Sequence, residues 1–127
     1  MNTKTTFDGV LSAPETEMEE VAISMEHAKK CIALRDALTR LSKNQDFKAI
    51  ILDGYMKDEA LRLTQISAEV VNLQYRDEIF DAIKGISHFR QFCDKIFREG
   101  DESAQALLEH EELMTQLEEE DDEGLEV

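Results

Sequence analysis

Three histidines, two cysteines and many carboxylates are the residues of this chain whose side chains can do chemistry. His27, His88 and His110 fall in three separate predicted helices, and no Asp or Glu stands three residues before any of them. A di-iron bundle requires Glu-x-x-His pairs that face one interior, so this spacing argues against it. The chain also lacks a phosphate-binding glycine loop, a GxSxG elbow and an HExxH pair. We therefore predict no catalytic residues, no metal site and no cofactor.

The cysteines and the paired carboxylates have simpler explanations than catalysis. Cys31 and Cys93 are far apart and form no CxxC pair, which favours two small apolar side chains in a reducing cytoplasm over a disulfide. Asp58 and Glu59 lie near Arg62, a pattern typical of ion pairs on a helix surface. General acid–base catalysis needs carboxylates in a water-poor cleft with separated pKa values. Adjacent acids alone do not predict such a cleft.

Acidic residues are concentrated at one end of the chain. The formal net charge is −15 over 127 residues, and residues 101–127 contain twelve Asp and Glu with no Lys or Arg. Such a surface is repelled by nucleic-acid phosphates and anionic membranes, so we predict no direct binding to either. No stretch approaches the roughly 20 apolar residues that span a bilayer. With 42% hydrophobic residues, the chain can form one soluble helical domain.

Apolar residues at three- and four-residue steps predict two helices in the first half of the chain. The first helix is expected over residues 13–42. Two apolar stripes lie along this helix: Met18, Val21, Met25, Ala28 and Ile32, then Leu34, Leu38 and Leu41. Asn44 is expected to cap the second helix, "DFKAIILDGYMKDEALRLTQI". The predicted apolar face of this helix comprises Phe47, Ile50, Ile51, Gly54 and Leu61, with Tyr55 adjoining it. Its Gly54 indicates either close approach of another helix or a local kink. The following "SAEVVNLQY" loses the helical period and predicts a loop or broken turn with a hydrophobic plug.

A third helix is predicted over about residues 75–98, and its wide apolar face should contact two elements or a second subunit. Gly100 is expected to end this helix, and Asp101 to cap a fourth segment that reaches Leu117. Acids beyond Leu117 repel one another along a helix, so the last residues should fray. We predict an all-α fold, a small helical bundle of three main helices with a partly disordered acidic C-terminal helix. The expected organisation is a flexible leader (1–11), a helical domain (12–117) and an acidic tail (118–127).

The order of segments resembles that of small acidic helical proteins of tailed bacteriophages. The resemblance covers about residues 31–120: "ALRDALTRLSKNQDFKAIILDGYMKDEALRLTQI", then "RDEIFDAIKGISHFRQFCDKIFREGDESAQ", then an acidic end. It is concentrated in "DFKAIILDGYMKDEA". These phage proteins are usually described only as hypothetical and are often encoded among head and tail structural genes. The resemblance implies a role in virion assembly, in the host cytoplasm or in the virion, and brings no catalytic residues.

The first hypothesis for function is a non-enzymatic phage interaction protein that assists virion assembly or forms part of the head–tail structure. Its expected partners are phage structural proteins, a basic protein surface or further copies of the chain. Phe89, Phe92 and Phe97 are the candidate anchors, because aromatic residues often dominate interface energy. Ordinary core packing is the alternative explanation for these three rings.

The second hypothesis is an acidic inhibitor that imitates nucleic acid and occupies the groove of a host DNA- or RNA-processing enzyme. Six acids would stand in for phosphates: Glu118, Glu119, Glu120, Asp121, Asp122 and Glu123. Charge complementarity would speed the encounter and make it sensitive to salt. Mimicry needs acids on a rigid surface, whereas these lie at an end expected to fray, so a solvated or regulatory tail is the alternative.

Overall fold

The computed structural model describes residues 17–126, with side chains as far as Asp122, and this range is helical and contains no strand. Six segments follow one another: α1 (Glu17–Ser42), α2 (Gln45–Phe47), a π-helix (Lys48–Glu59), α3 (Ala60–Ser67), a 3₁₀-helix (Val70–Tyr75) and α4 (Arg76–Glu126). The predicted all-α fold with three main helices is confirmed, as is the end of the first helix at Ser42. The predicted leader (1–11) lies outside the described residues.

α2, the π-helix and α3 follow one another directly and form one middle helix, residues 45–67. Its start is capped as predicted, because the Asn44 side chain accepts a hydrogen bond from the backbone amide of Phe47 at 2.9 Å. Gly54 lies inside the π-helix, where an added Cβ would come 2.9 Å from the carbonyl oxygen of Ala49. Gly54 is therefore explained by the wider turn of its own helix, and not by close approach of another helix.

The π-helix also changes which side chains of the middle helix face inward. Its hydrogen bonds join residues five positions apart, so the angular spacing of its side chains differs from that of an α-helix. An α-helical period places Ile50 and Leu61 on the inner apolar face, but both are exposed. That part of the predicted face is wrong because the pattern assumes one helical period throughout.

α4 continues through Gly100 without interruption, so the predicted helix end at this residue is wrong. Gly100 is buried, and an added Cβ there would lie within 3.0 Å of three side-chain atoms of Arg35 in α1. The glycine permits two helices to pack closely, and it does not end either of them. With 51 residues, α4 is about 75 Å long at 1.5 Å per residue.

α1 and the middle helix lie one after the other along α4, and both run antiparallel to it. Arg35 contacts Asp101, while Ala28 and Leu107 line one groove, so later positions in α1 meet earlier positions in α4. α1 packs on α4, and its contact with the middle helix is concentrated at α2, beside the turn. The molecule is an elongated helical hairpin, two helices thick along most of its length.

The main buried apolar cluster lies between the middle helix and the first half of α4. Leu63, Ile79 and Ile86 form this cluster. Three partly buried side chains pack around it: Ala60, Ile66 and Ile83. The hydrophobic plug predicted for "SAEVVNLQY" is wrong, since Val70 and Val71 are each 78% exposed. The 3₁₀-helix forms the turn at the end of the hairpin, where no second helix can cover it.

Candidate interaction surfaces

One guanidinium group joins α1 to α4 at the glycine contact. Arg35 donates hydrogen bonds to the Gly100 carbonyl oxygen at 3.4 Å and to the Asp101 carboxylate at 3.1 Å. It also donates to the Asp36 carboxylate at 3.0 Å. The hydrogen bond to Asp36, followed by that to Asp101, raises the pKa of Arg35 above its ordinary value against the opposing effect of burial. The arginine therefore stays charged and acts as a cross-link between helices, not as a proton donor.

The three phenylalanines predicted as anchors differ in their surroundings. Phe89 is half-buried and packs edge-to-face on Tyr55, with ring centroids 5.9 Å apart. Phe97 is also half-buried, whereas Phe92 is 56% exposed. Phe89 thus contributes to packing between the middle helix and α4. Of the three rings, that of Phe92 is the most accessible to a partner.

Phe92 lies on the same side of the hairpin as two exposed leucines of α1. Each of the three immediately precedes a half-buried residue on its own helix: Leu34 precedes Arg35, Leu41 precedes Ser42, and Phe92 precedes Cys93. One position is about 100° of rotation in an α-helix. A step of one residue back from a half-buried position therefore turns the side chain by this angle away from the neighbouring helix. Because α1 and α4 are antiparallel, the same step on each helix brings the side chains to the same side of the pair. We call Leu34, Leu41 and Phe92 the central flank.

A second exposed apolar surface lies where the middle helix turns into α4. It consists of four side chains of the 3₁₀-helix, all exposed: Val70, Val71, Leu73 and Tyr75. We call these four the apolar tip. The sequence VVNLQY contains no charged residue. Sequence reasoning missed this surface because loss of the helical period was interpreted as burial, although the absence of charge was an available signal.

The acids proposed to imitate phosphates lie on the last turns of α4. Five of them are exposed, and we call these five the acidic end: Glu118, Glu119, Glu120, Asp121 and Asp122. Glu123 belongs to the same helix, but its side chain lies beyond the described side chains. Because the segment is helical, consecutive acids point in different directions around the axis and do not form one flat surface.

The histidines and cysteines do not assemble into a site within the described part of the chain. His27 Nε2 lies 3.5 Å from Cys31 Sγ, one turn away in α1. Cys31 is buried, Cys93 is half-buried, and both are free thiols. Among the described residues, no group of three or more His, Cys, Asp or Glu side chains is arranged to hold a metal ion. In the same part of the chain, no helix combines the length and apolarity needed to cross a membrane.

Comparison with protein-family models, with curated proteins and with solved structures gives no match to this chain. The central flank, the apolar tip and the acidic end are therefore assigned from their own geometry and chemistry.

Proposed function

We propose that this chain is a non-enzymatic phage interaction protein that assists virion assembly or forms part of the head–tail structure. The observation that carries the proposal is the distribution of apolar side chains. Among the described residues, eighteen large apolar side chains are exposed, while five apolar side chains are buried. Exposed apolar patches rimmed by polar residues are typical of protein-interaction sites. The hairpin is thus suited to binding other proteins along its surface.

We assign the apolar tip to the contact with another phage structural protein. Its four side chains lie at one end of an elongated molecule, where a partner can reach them without displacing a helix. Tyr75 adds a ring with a hydroxyl group, a combination enriched at protein interfaces. Because the 3₁₀-helix carries no charge, burying the tip desolvates no ionised group.

Two further features of the predicted fold, the helical bundle and the partly disordered acidic end, belong to the same proposal. A hairpin two helices thick is not a closed bundle, so we propose that a helical bundle is completed when partner helices cover its flanks. The last turns of α4 carry adjacent acids that repel one another. We propose that residues 118–127 fray in the free protein and become ordered on a basic surface.

Affinity capture during infection of the native host tests the assembly role. The baits are the full-length chain, a tip variant (Val71→Glu with Leu73→Glu) and a matched control (Leu108→Glu with Leu113→Glu) whose side chains are also about half exposed or more. We expect portal, capsid or tail proteins on the full-length and control baits and their loss from the tip variant. A full-length bait that captures no phage structural protein contradicts the function. Equal loss with the control contradicts the assignment to the tip.

A second function, the acidic nucleic-acid mimic, is favoured by one observation. α4 is helical through Glu126, so the acidic end has a defined spacing of carboxylates, which a mimic needs and a frayed end lacks. Long-range attraction to a basic groove would then speed binding. The different directions of consecutive acids around the axis fit a groove that surrounds the helix better than a flat basic face.

Charge-neutral variants separate this mimic from a solubilising tail. We compare Glu118→Gln/Glu119→Gln/Glu120→Gln with a control that removes three exposed acids of the preceding turns, Glu109→Gln/Glu111→Gln/Glu112→Gln. Under the mimic hypothesis, a nuclease, polymerase or repair enzyme is captured by the full-length chain and by the control. It should be lost from the first variant and on raising salt. Capture that ignores both salt and the first variant would exclude mimicry by the acidic end.

A further inference from the structure

The central flank is an apolar surface that no part of the described chain covers. Leu34 and Phe92 are 57% and 56% exposed, and Leu41 is exposed beside them. All three lie near the middle of the hairpin, close to the turn that separates α1 from the middle helix. Solvent-exposed apolar groups on one side of a two-helix structure are typical of a surface that a further helix layer covers.

The total exposed surface is large for a chain of this mass. The chain exposes 10344 Å² at 14.5 kDa, whereas a compact monomer of that mass exposes about 6,900 Å². Even if each residue outside the described range contributed the roughly 160 Å² of a fully extended chain, about 7,600 Å² would remain for the described residues. A compact protein with the mass of those residues exposes about 6,200 Å², so the excess is about 1,400 Å². Covering that excess on two chains would bury about 2,800 Å², which lies in the range of obligate homodimers.

The charge distribution determines how two copies can lie side by side. Residues 101–127 carry twelve acids and no base, so a parallel pair would place two such segments together. Residues 76–100 contain five bases: Arg76, Lys84, Arg90, Lys95 and Arg98. An antiparallel pair centred on the flank would bring each acidic segment beside these bases of the other copy, which attraction favours.

We propose that two copies of this chain pack through their central flanks in an antiparallel, two-fold symmetric dimer, a four-helix bundle. A two-fold axis lets one patch contact its own equivalent, which is the commonest way in which soluble proteins oligomerise. Leu34 and Phe92 of each chain lie at the centre of this contact. The dimer goes beyond the proposed function and does not depend on it.

Sedimentation equilibrium of the full-length chain over a range of concentrations tests the dimer. We expect wild type to have twice the 14.5 kDa chain mass. Leu34→Glu and Phe92→Glu should each raise the dissociation constant at least about tenfold, as expected for central interface residues. Circular dichroism should show unchanged helix content, because both side chains are exposed in the single chain.

Two matched variants place the same charge elsewhere. Leu61 is also 57% exposed but lies opposite the buried Leu63 in α3, and Phe80 immediately follows buried Ile79, which puts it on the other side of α4. Leu61→Glu and Phe80→Glu should leave the dissociation constant within about threefold of wild type. A monomeric wild type overturns the dimer, and control variants that dissociate as strongly as the flank variants overturn its assignment to this face. Neither result affects the capture of phage proteins by the tip.

A zero-length carbodiimide cross-linker tests the orientation on the unmodified chain. The antiparallel dimer predicts links between Lys84 and acids of the segment that begins at Glu109. Within one chain these residues are 25 positions apart on α4, about 38 Å, so such a link joins two copies. A cross-linked dimer that contains no link of this kind overturns the antiparallel arrangement.

Discussion

The two halves of α4 belong to one uninterrupted helix but are held by different chemistry. The first half packs through Ile79 and Ile86 against Leu63 of the middle helix, and residues 76–100 contain as many bases as acids. The second half meets α1 at the Arg35–Asp101 ion pair, and residues 101–127 contain twelve acids with no base. Burial of large apolar side chains stabilises the first half, whereas the second half packs on α1 through smaller or half-buried residues such as Gly100 and Leu107 and exposes most of its other side chains.

This difference shows that continuity of a helix says little about the roles of its parts. Hydrogen bonds along the backbone continue wherever no residue prevents them, so α4 passes from a packed region to an exposed one without a break. The side chains, and not the backbone, divide it. Three comparisons test this division.

The largest effect is expected in the first half, where Ile86 is 3% exposed. Ile86→Ala removes buried methyl groups and should lower the free energy of unfolding by about 2–5 kcal/mol. The matched change in the second half is Leu108→Ala, at a side chain that is 50% exposed, and it should stay within about 0.5 kcal/mol of wild type. Urea denaturation at one fixed protein concentration measures both. Equal losses would mean that the second half is packed as firmly as the first.

The next largest effects are expected at two glycines of α4, where substitution by alanine should change the stability of the fold in opposite directions. Gly100→Ala adds a methyl group within 3.0 Å of Arg35, and such overpacking should destabilise the fold by about 1–3 kcal/mol. Gly85→Ala places its methyl group 3.9 Å from the Tyr55 hydroxyl oxygen, an ordinary contact. It should stabilise the helix by about 0.5–1 kcal/mol, since alanine loses less backbone entropy.

Thermal unfolding followed by circular dichroism measures both alanine variants against wild type. A stabilising Gly100→Ala would show that α1 and α4 can move apart at no cost. The contact of Arg35 with Gly100 would then not hold the second half of α4.

The smallest effect concerns Cys93, near the border between the halves. Burial, with a smaller contribution from the charge of Asp94, raises the pKa of the Cys93 thiol above its ordinary value. The folded chain therefore keeps this proton at a pH where the unfolded chain has lost it. The resulting contribution to stability is complete below the unfolded pKa and is lost as pH rises through the folded pKa.

Alkylation with iodoacetamide at increasing pH, located by peptide mass spectrometry, measures this shift. The reaction midpoint of Cys93 should lie at higher pH in the folded chain than in urea, because the thiolate is the reactive form. The same midpoint in both states would mean that Cys93 is solvated and that the packed region ends before it.

Parts of this fold were predictable because their causes are local. The cap at Asn44 and the end of α1 at Ser42 follow from a side chain that bonds its own backbone nearby. The apolar periodicity of the third helix also predicts that Ile79 and Ile86 face a partner. The shifted stripe that contains Leu34 and Leu41 was visible as well, although its exposure was not.

Other features depend on what lies across the hairpin. The residues next to Gly100 in the sequence do not show whether this glycine ends a helix or leaves room for a side chain of another helix. The side chain that packs against it is that of Arg35, 65 residues earlier in the chain. The exposure of the tip has the same origin, because apolar residues are buried only if another element covers them. Phe89 and Phe92 are equally aromatic, yet Tyr55 lies against only the first of them.

The sequence by itself determined that this chain is helical, that most of its excess negative charge lies at one end and that its apolar residues form stripes along the helices. These properties depend on neighbours three or four positions apart, which any helix brings together. Only the tertiary structure decided that the helices form a two-layer hairpin, and therefore which apolar stripes are covered and which are exposed. Burial is a relation between distant segments, and the order of residues along one helix does not contain it.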